Sequence, residues 1–109
     1  GRLLMVSDRP VEQIQLTGPK NARLGESVEI VVSVTDADGK PLDAVVPVDL
    51  RIVDPEGVSA EPNGVYGAAG GVLRVRLDLA SNDRPGVWEI RATEGATGRE
   101  IRTYLRVAL

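Results

Sequence analysis

The chain reads as an all-β protein, an antiparallel β-sandwich of about seven strands with no substantial helix. Two observations predict this. Apolar and polar residues alternate with period two in segment after segment. In addition, 12 glycines and 7 prolines cut the 109 residues into pieces too short for a useful helix. A chain of this length holds one domain and one core.

The elements follow in order. Ile14 and Leu16 mark a short first strand. The stretch from Glu26 to Asp38 contains neither glycine nor proline. Its centre is rich in β-branched residues, which lose rotamer freedom in a helix but pack well on a pleated sheet. There Val28, Ile30, Val32 and Val34 share one parity. Val46, Val48, Leu50 and Ile52 repeat the pattern, as do Leu73, Val75, Leu77 and Leu79. Trp88, Ile90 and Ala92 alternate with Glu89, Arg91 and Thr93, and Ile101, Thr103, Leu105 and Val107 alternate with Arg102, Tyr104, Arg106 and Ala108. Each segment has one face for a core and one for water.

Turn signals separate these runs: Asp38-Gly39-Lys40-Pro41, Asp54-Pro55-Glu56-Gly57, Pro62-Asn63-Gly64, Gly70-Gly71, Asn82 to Gly86, and Gly95 to Gly98. Six or seven strands at this spacing suggest an immunoglobulin-like sandwich rather than alternating strands and helices. A closed barrel of similar size is the rival. Residues 1–10, with the apolar Arg2-Leu3-Leu4-Met5-Val6, read as a leader strand or linker from an upstream domain, and 11–109 as the sandwich.

Composition excludes several chemistries. Thirteen basic and 16 acidic residues give a net charge of −3, and the charges alternate in sign along the segments without a basic patch. Nucleic-acid binding, which needs a clustered basic face, is not expected. Cysteine is absent, so disulfides and thiol chemistry are excluded. Histidine is absent too, which removes the side chain best suited to proton transfer near neutral pH. No apolar run reaches the roughly 18 residues of a membrane span, and Leu3–Val6 lacks the flanks of a signal peptide.

Individual motifs read as structure. Asp36-Ala37-Asp38-Gly39, with Asp43 nearby, is the nearest approach to a calcium loop. Its glycine and Lys40 fall at the wrong positions, so a strand-linking turn is expected, with cation binding left open. The acids sit at turns or outward positions, and three aromatic residues are too few to wall a glycosidase cleft. Ser7, Ser27, Ser33, Ser59 and Ser81 lack both a histidine base and a nucleophile elbow. Gly64 to Gly71 lacks the lysine of a phosphate loop and reads as a flexible hairpin or loop. Trp88 shares parity with Ile90 and Ala92 and is expected in the core. Tyr66 and Tyr104 are the better surface candidates, with Tyr104 placed for cation–π contact between Arg102 and Arg106. No catalytic, cofactor-binding or metal residue is assigned, and no cofactor is expected.

The order of turns resembles a known family. Leu24-Gly25-Glu26-Ser27-Val28, Asp38-Gly39-Lys40-Pro41-Leu42, and Val46-Pro47-Val48 leading to Asp54-Pro55-Glu56-Gly57 resemble the second macroglobulin domain of the alpha-2-macroglobulin family. Gly70-Gly71-Val72 and Pro85-Gly86-Val87-Trp88-Glu89-Ile90 continue the likeness, which covers roughly Pro19 to Val107. Asn82 to Trp88 followed by Ala96-Thr97-Gly98 is also similar to a variant found as an accessory module in large bacterial exported proteins, including carbohydrate-active ones. The resemblance implies an extracellular, periplasmic or cell-envelope multidomain parent. It transfers no site residue, and no thioester or bait segment is present.

The leading expectation is a non-catalytic structural or spacer module that packs against or positions neighbouring domains. The alternative is ligand recognition, of polysaccharide or of a protein partner, by a sheet face or an edge strand. An enzyme is the weakest reading, and a deep acidic cleft at one end would revive it.

Overall fold

A computed structural model describes residues 11–60 and 62–109, so the leader expected over 1–10 falls outside the described residues. Among those described, eight strands and no helix are found. One sheet holds β1 (Gln13–Thr17), β3 (Ser27–Thr35) and β6 (Val72–Asp78), in the order β1-β3-β6. The other holds β2 (Asn21–Arg23), β4 (Val45–Val53), β5 (Gly64–Ala69), β7 (Gly86–Glu94) and β8 (Glu100–Ala108), in the order β2-β8-β7-β4-β5. Two separate sheets make this a sandwich and not the rival barrel.

The core lies where period-two alternation puts it. Val32, Val34, Val46, Val48, Leu50 and Ile52 are fully buried, and the inward residues of β6, β7 and β8 pack against them. One fully buried side chain, Leu42, comes from a turn.

Two features depart from the antiparallel, seven-stranded expectation. β2 pairs with β8 in parallel, Asn21 opposite Arg106 and Arg23 opposite Ala108. The first edge of the sandwich is therefore split: β1 lies antiparallel to β3 in one sheet, and the chain crosses at Gly18-Pro19 to place β2 in the other. The second departure is β5. Residues 64–71, expected as a flexible hairpin or loop, form a strand along β4 and then cross to β6 in the opposite sheet. Gly71 makes this crossing possible. Its φ is +74°, its N–H lies 3.1 Å from the Ala44 carbonyl and 3.0 Å from that of Ala68, and its carbonyl accepts the Val34 N–H at 2.7 Å. A Cβ there would lie 2.7 Å from the Val34 oxygen. Only glycine fits.

Strand directions fix the ends. Gln13, at the start of β1, lies opposite Thr35, at the end of β3, while Ala108, at the end of β8, lies opposite Arg23. Val11 and Leu109 thus stand at opposite ends of the sandwich.

Candidate interaction surface

The three aromatic residues separate. Trp88 is 4% exposed, as its parity predicts, and its indole N–H donates to the Arg84 carbonyl at 2.9 Å. Tyr66 is half-buried and its hydroxyl donates to the Pro62 carbonyl. Tyr104 is 51% exposed on the outer face of β8, beside Arg102. Hydrogen bonds to Glu100 and then Tyr104, with the charge of Glu89, hold Arg102 above its ordinary pKa.

Three acids close three turns in the same way. Asp36 Oδ1 accepts the N–H groups of Asp38 and Lys40 at 2.9 and 3.0 Å, and Asp54 Oδ1 accepts those of Glu56 and Val58 at 2.8 and 2.9 Å. Gly39 and Gly57 occupy matching positive-φ positions. The Asp36–Asp38 segment is thus the strand-linking turn expected. Glu94, 0% exposed, does the same work between β7 and β8. Its Oε1 accepts the Ala96 and Thr97 N–H groups at 2.8 and 2.7 Å, and its Oε2 accepts the Arg99 N–H at 3.1 Å and the Thr97 hydroxyl. Burial pushes the Glu94 pKa up, but the bonds from Thr97, Arg99 and Ala96 outweigh it and hold the group below its usual range. Sequence reading missed Glu94, although continuing the parity of Trp88, Ile90 and Ala92 by one step reaches it. Among the described residues, no group of three or more acids, histidines or cysteines could hold a metal ion.

A cleft of about 620 Å³ opens at the end where β4 finishes, lined by Asp54, Asp78, Asp83, Arg76, Pro62 and the edge of Trp88. An acidic cleft at one end is the feature that keeps the catalytic reading open, and its carboxylates also bond within the fold. Asp54 closes its turn, and Asp83 Oδ2 accepts the Ala80 N–H at 2.8 Å. Asp78 Oδ1 accepts the Ser27 hydroxyl and Arg76 Nε at 2.5 and 2.7 Å. These bonds, Ser27 first, lower the Asp78 pKa.

The outer face of the five-stranded sheet carries a feature the linear sequence hides. Arg51, Arg91 and Arg102 are register partners on β4, β7 and β8, forming a row of three cations across neighbouring strands. The charge pattern predicts no basic patch, because alternation along each strand says nothing about which residues meet across strands. Arg51 pairs with Asp49 at 3.0 Å, and Arg102 with Glu89 and Glu100 at 3.4 and 3.2 Å. Arg91 sits between them, half-buried, and its Nε is buried without an acceptor among the described residues. Towards β5 the same face turns apolar, with Val45 63% and Val65 71% exposed.

No protein-family model and no curated protein matches the chain. Solved structures do. Alpha-2-macroglobulin of E. coli in its native conformation superposes with a TM-score of 0.71 at 25% identity, covering 93% of this chain and 6% of that one. The chain folds as a macroglobulin-like, immunoglobulin-type domain. Salmonella alpha-2-macroglobulin reacted with methylamine matches the macroglobulin-like domain with a TM-score of 0.71 at 24% identity, over 98% of this chain and 7% of that one. Domains 4 and 5 of the S-layer protein SbsC share the fold at a TM-score of 0.64 and 16% identity, over 94% and 54% of the two chains. The domain therefore spans about 6–7% of the bacterial macroglobulins it matches.

Proposed function

We propose that the macroglobulin-like domain is a non-catalytic structural or spacer module of a larger multidomain exported bacterial protein, where it packs against or positions neighbouring domains. The observation that carries this reading is the passage of the chain. It enters at the end shared by Gln13 and Thr35 and leaves at the end shared by Arg23 and Ala108, so one sandwich holds its neighbours apart by its own length. Turns at both ends are closed by their own acids, Asp36 and Glu94 at one and Asp54 at the other. Likeness to single portions of much longer bacterial proteins supports the multidomain parent, and likeness to an S-layer protein supports placement outside the cytoplasm or in the envelope.

Excising residues 11–109 from the full parent tests the reading. Small-angle scattering should then show a shorter maximum dimension, and the flanking domains should lose thermal stability. Unchanged dimensions and stability, with loss of a catalytic turnover instead, would overturn it.

Polysaccharide binding is the weaker alternative. Stacking on sugar needs rings in a row, and Trp88 is buried, Tyr66 is bonded to Pro62, and Tyr104 stands alone.

A further inference from the structure

We infer that the domain is a tensile link, holding the domains on either side of it together against a pull, and that the pairing of β2 with β8 is the tie that holds. This rests on the proposal that the domain spaces its neighbours, and it names what that spacing withstands.

β2 and β8 are the second and the last strands of the chain. A pull on the two ends of the domain therefore passes from β2 straight into β8. β3 to β7, which supply most of the core, lie outside the path. The chain enters where the Glu12 N–H donates to the Thr35 carbonyl at 2.9 Å, and it leaves after Ala108, opposite Arg23. The pull thus runs along the strands, drawing β2 towards the entry and β8 towards the exit. Because the two strands lie side by side and run in one direction, every bond between them resists at once.

The tie is fastened on both sides of its three paired residues. On the entry side the Arg106 N–H donates to the Lys20 carbonyl at 2.9 Å, and on the exit side the Leu24 N–H donates to the Ala108 carbonyl at 2.8 Å. Bonds between parallel strands are evenly spaced, so they share the pull. Ala22 and Val107 meet at the centre, 7% and 4% exposed, and close the inner side of the pair to water, which strengthens the bonds. The turn that follows β2 is fixed as well. The Arg23 N–H donates to Glu26 Oε1 at 2.6 Å, and the Gly25 N–H donates to the Leu79 carbonyl at 2.7 Å. β1 pairs with β3 and is separated from β2 by Gly18-Pro19, so it can part from its sheet without loosening the tie. Three paired residues contribute little to equilibrium stability. Under force their position decides, because forced unfolding follows the unfolding barrier.

Single-molecule pulling of the 109-residue chain, with handles fused to its two ends, tests the inference. The chain has no cysteine, so Ser81→Cys and Leu109→Cys supply a second pair of attachment points. Both positions are exposed at the exit end, and that pull parts β7 from β8 one pair at a time. The expected rupture force is several-fold higher between the chain's ends than between Ser81→Cys and Leu109→Cys at equal pulling speed. Two truncations locate the resistance. Val107→Ala thins the cover of the tie, Val48→Ala thins the core on β4, and both lower the urea midpoint. Val107→Ala should lower the end-to-end force, and Val48→Ala should leave it unchanged. Equal forces in the two geometries would overturn the tensile link and leave the spacer reading, which excision tests, standing. An end-to-end force lowered as much by Val48→Ala as by Val107→Ala would overturn the role of β2 and β8.

Discussion

The indole of Trp88 donates to the backbone carbonyl of Arg84, four residues upstream, across the bend that opens β7. In immunoglobulin sandwiches a tyrosine at the corresponding corner bonds back to the chain in the same way. Here one side chain both fills the space between sheets and pins the corner. Arg84 carries the tie further, pairing with Glu56 at 2.5 Å and Asp54 at 3.7 Å in the turn that ends β4. Trp88→Phe should keep most of the apolar volume and lose the N–H. The expected cost is about 2–4 kcal/mol, seen as a lower urea midpoint at unchanged slope. A change under about 0.5 kcal/mol would mean that the corner bond contributes nothing.

Acid should weaken the domain through Glu94. Its pKa is depressed in the folded state, so its contribution is complete above the unfolded value of about 4.3 and is lost as pH falls through the folded value. Asp78 acts with the same sign. Stability should therefore hold from neutral pH to about 5 and fall below about 4. Glu94→Gln should flatten part of that acid limb. It should also cost about 2–4 kcal/mol at neutral pH, because an amide NH₂ would face N–H and O–H donors. Denaturant midpoints measured across the pH range would show both effects.

Glycine substitutions should divide by surroundings. Gly39 and Gly71 share positive φ, +79° and +74°, but a Cβ at Gly39 meets open space, whereas at Gly71 it meets backbone on both sides. Gly39→Ala should cost about 1 kcal/mol, from conformation alone. Gly71→Ala should cost more than about 3 kcal/mol or prevent folding, since the crossing between sheets cannot widen without breaking the Val34 bond. Thermal melts of the two variants compare them directly.

The turns of Asp36 and Asp54 lie at opposite ends of the sandwich, one after β3 and one after β4, and their side chains accept different backbone N–H groups. Asp36→Ala and Asp54→Ala should each cost about 1–2 kcal/mol and add within about 0.5 kcal/mol in the double variant. A larger coupling would show that the two ends communicate through the core.

Most of the architecture was legible because burial on one face writes itself into every second residue. Val28 to Val34, Val46 to Ile52 and Leu73 to Leu79 needed nothing more. β5 escaped because Gly67, Ala68 and Ala69 carry too little side chain to register an alternation, and β2 because three residues are too few. Leu42 is buried from a turn and so has no period to betray it. The arginine row was illegible for a different reason. Arg51, Arg91 and Arg102 come together only through strand register, which depends on the whole fold.

The parallel pairing of β2 with β8 has a mechanical consequence. Strands that run the same way at the two ends of a domain slide past each other under tension, so their bonds are loaded together in shear and cannot be peeled open one by one. With Asn21, Ala22 and Arg23 held against Arg106, Val107 and Ala108, a short ladder stands between stretching force and the interior.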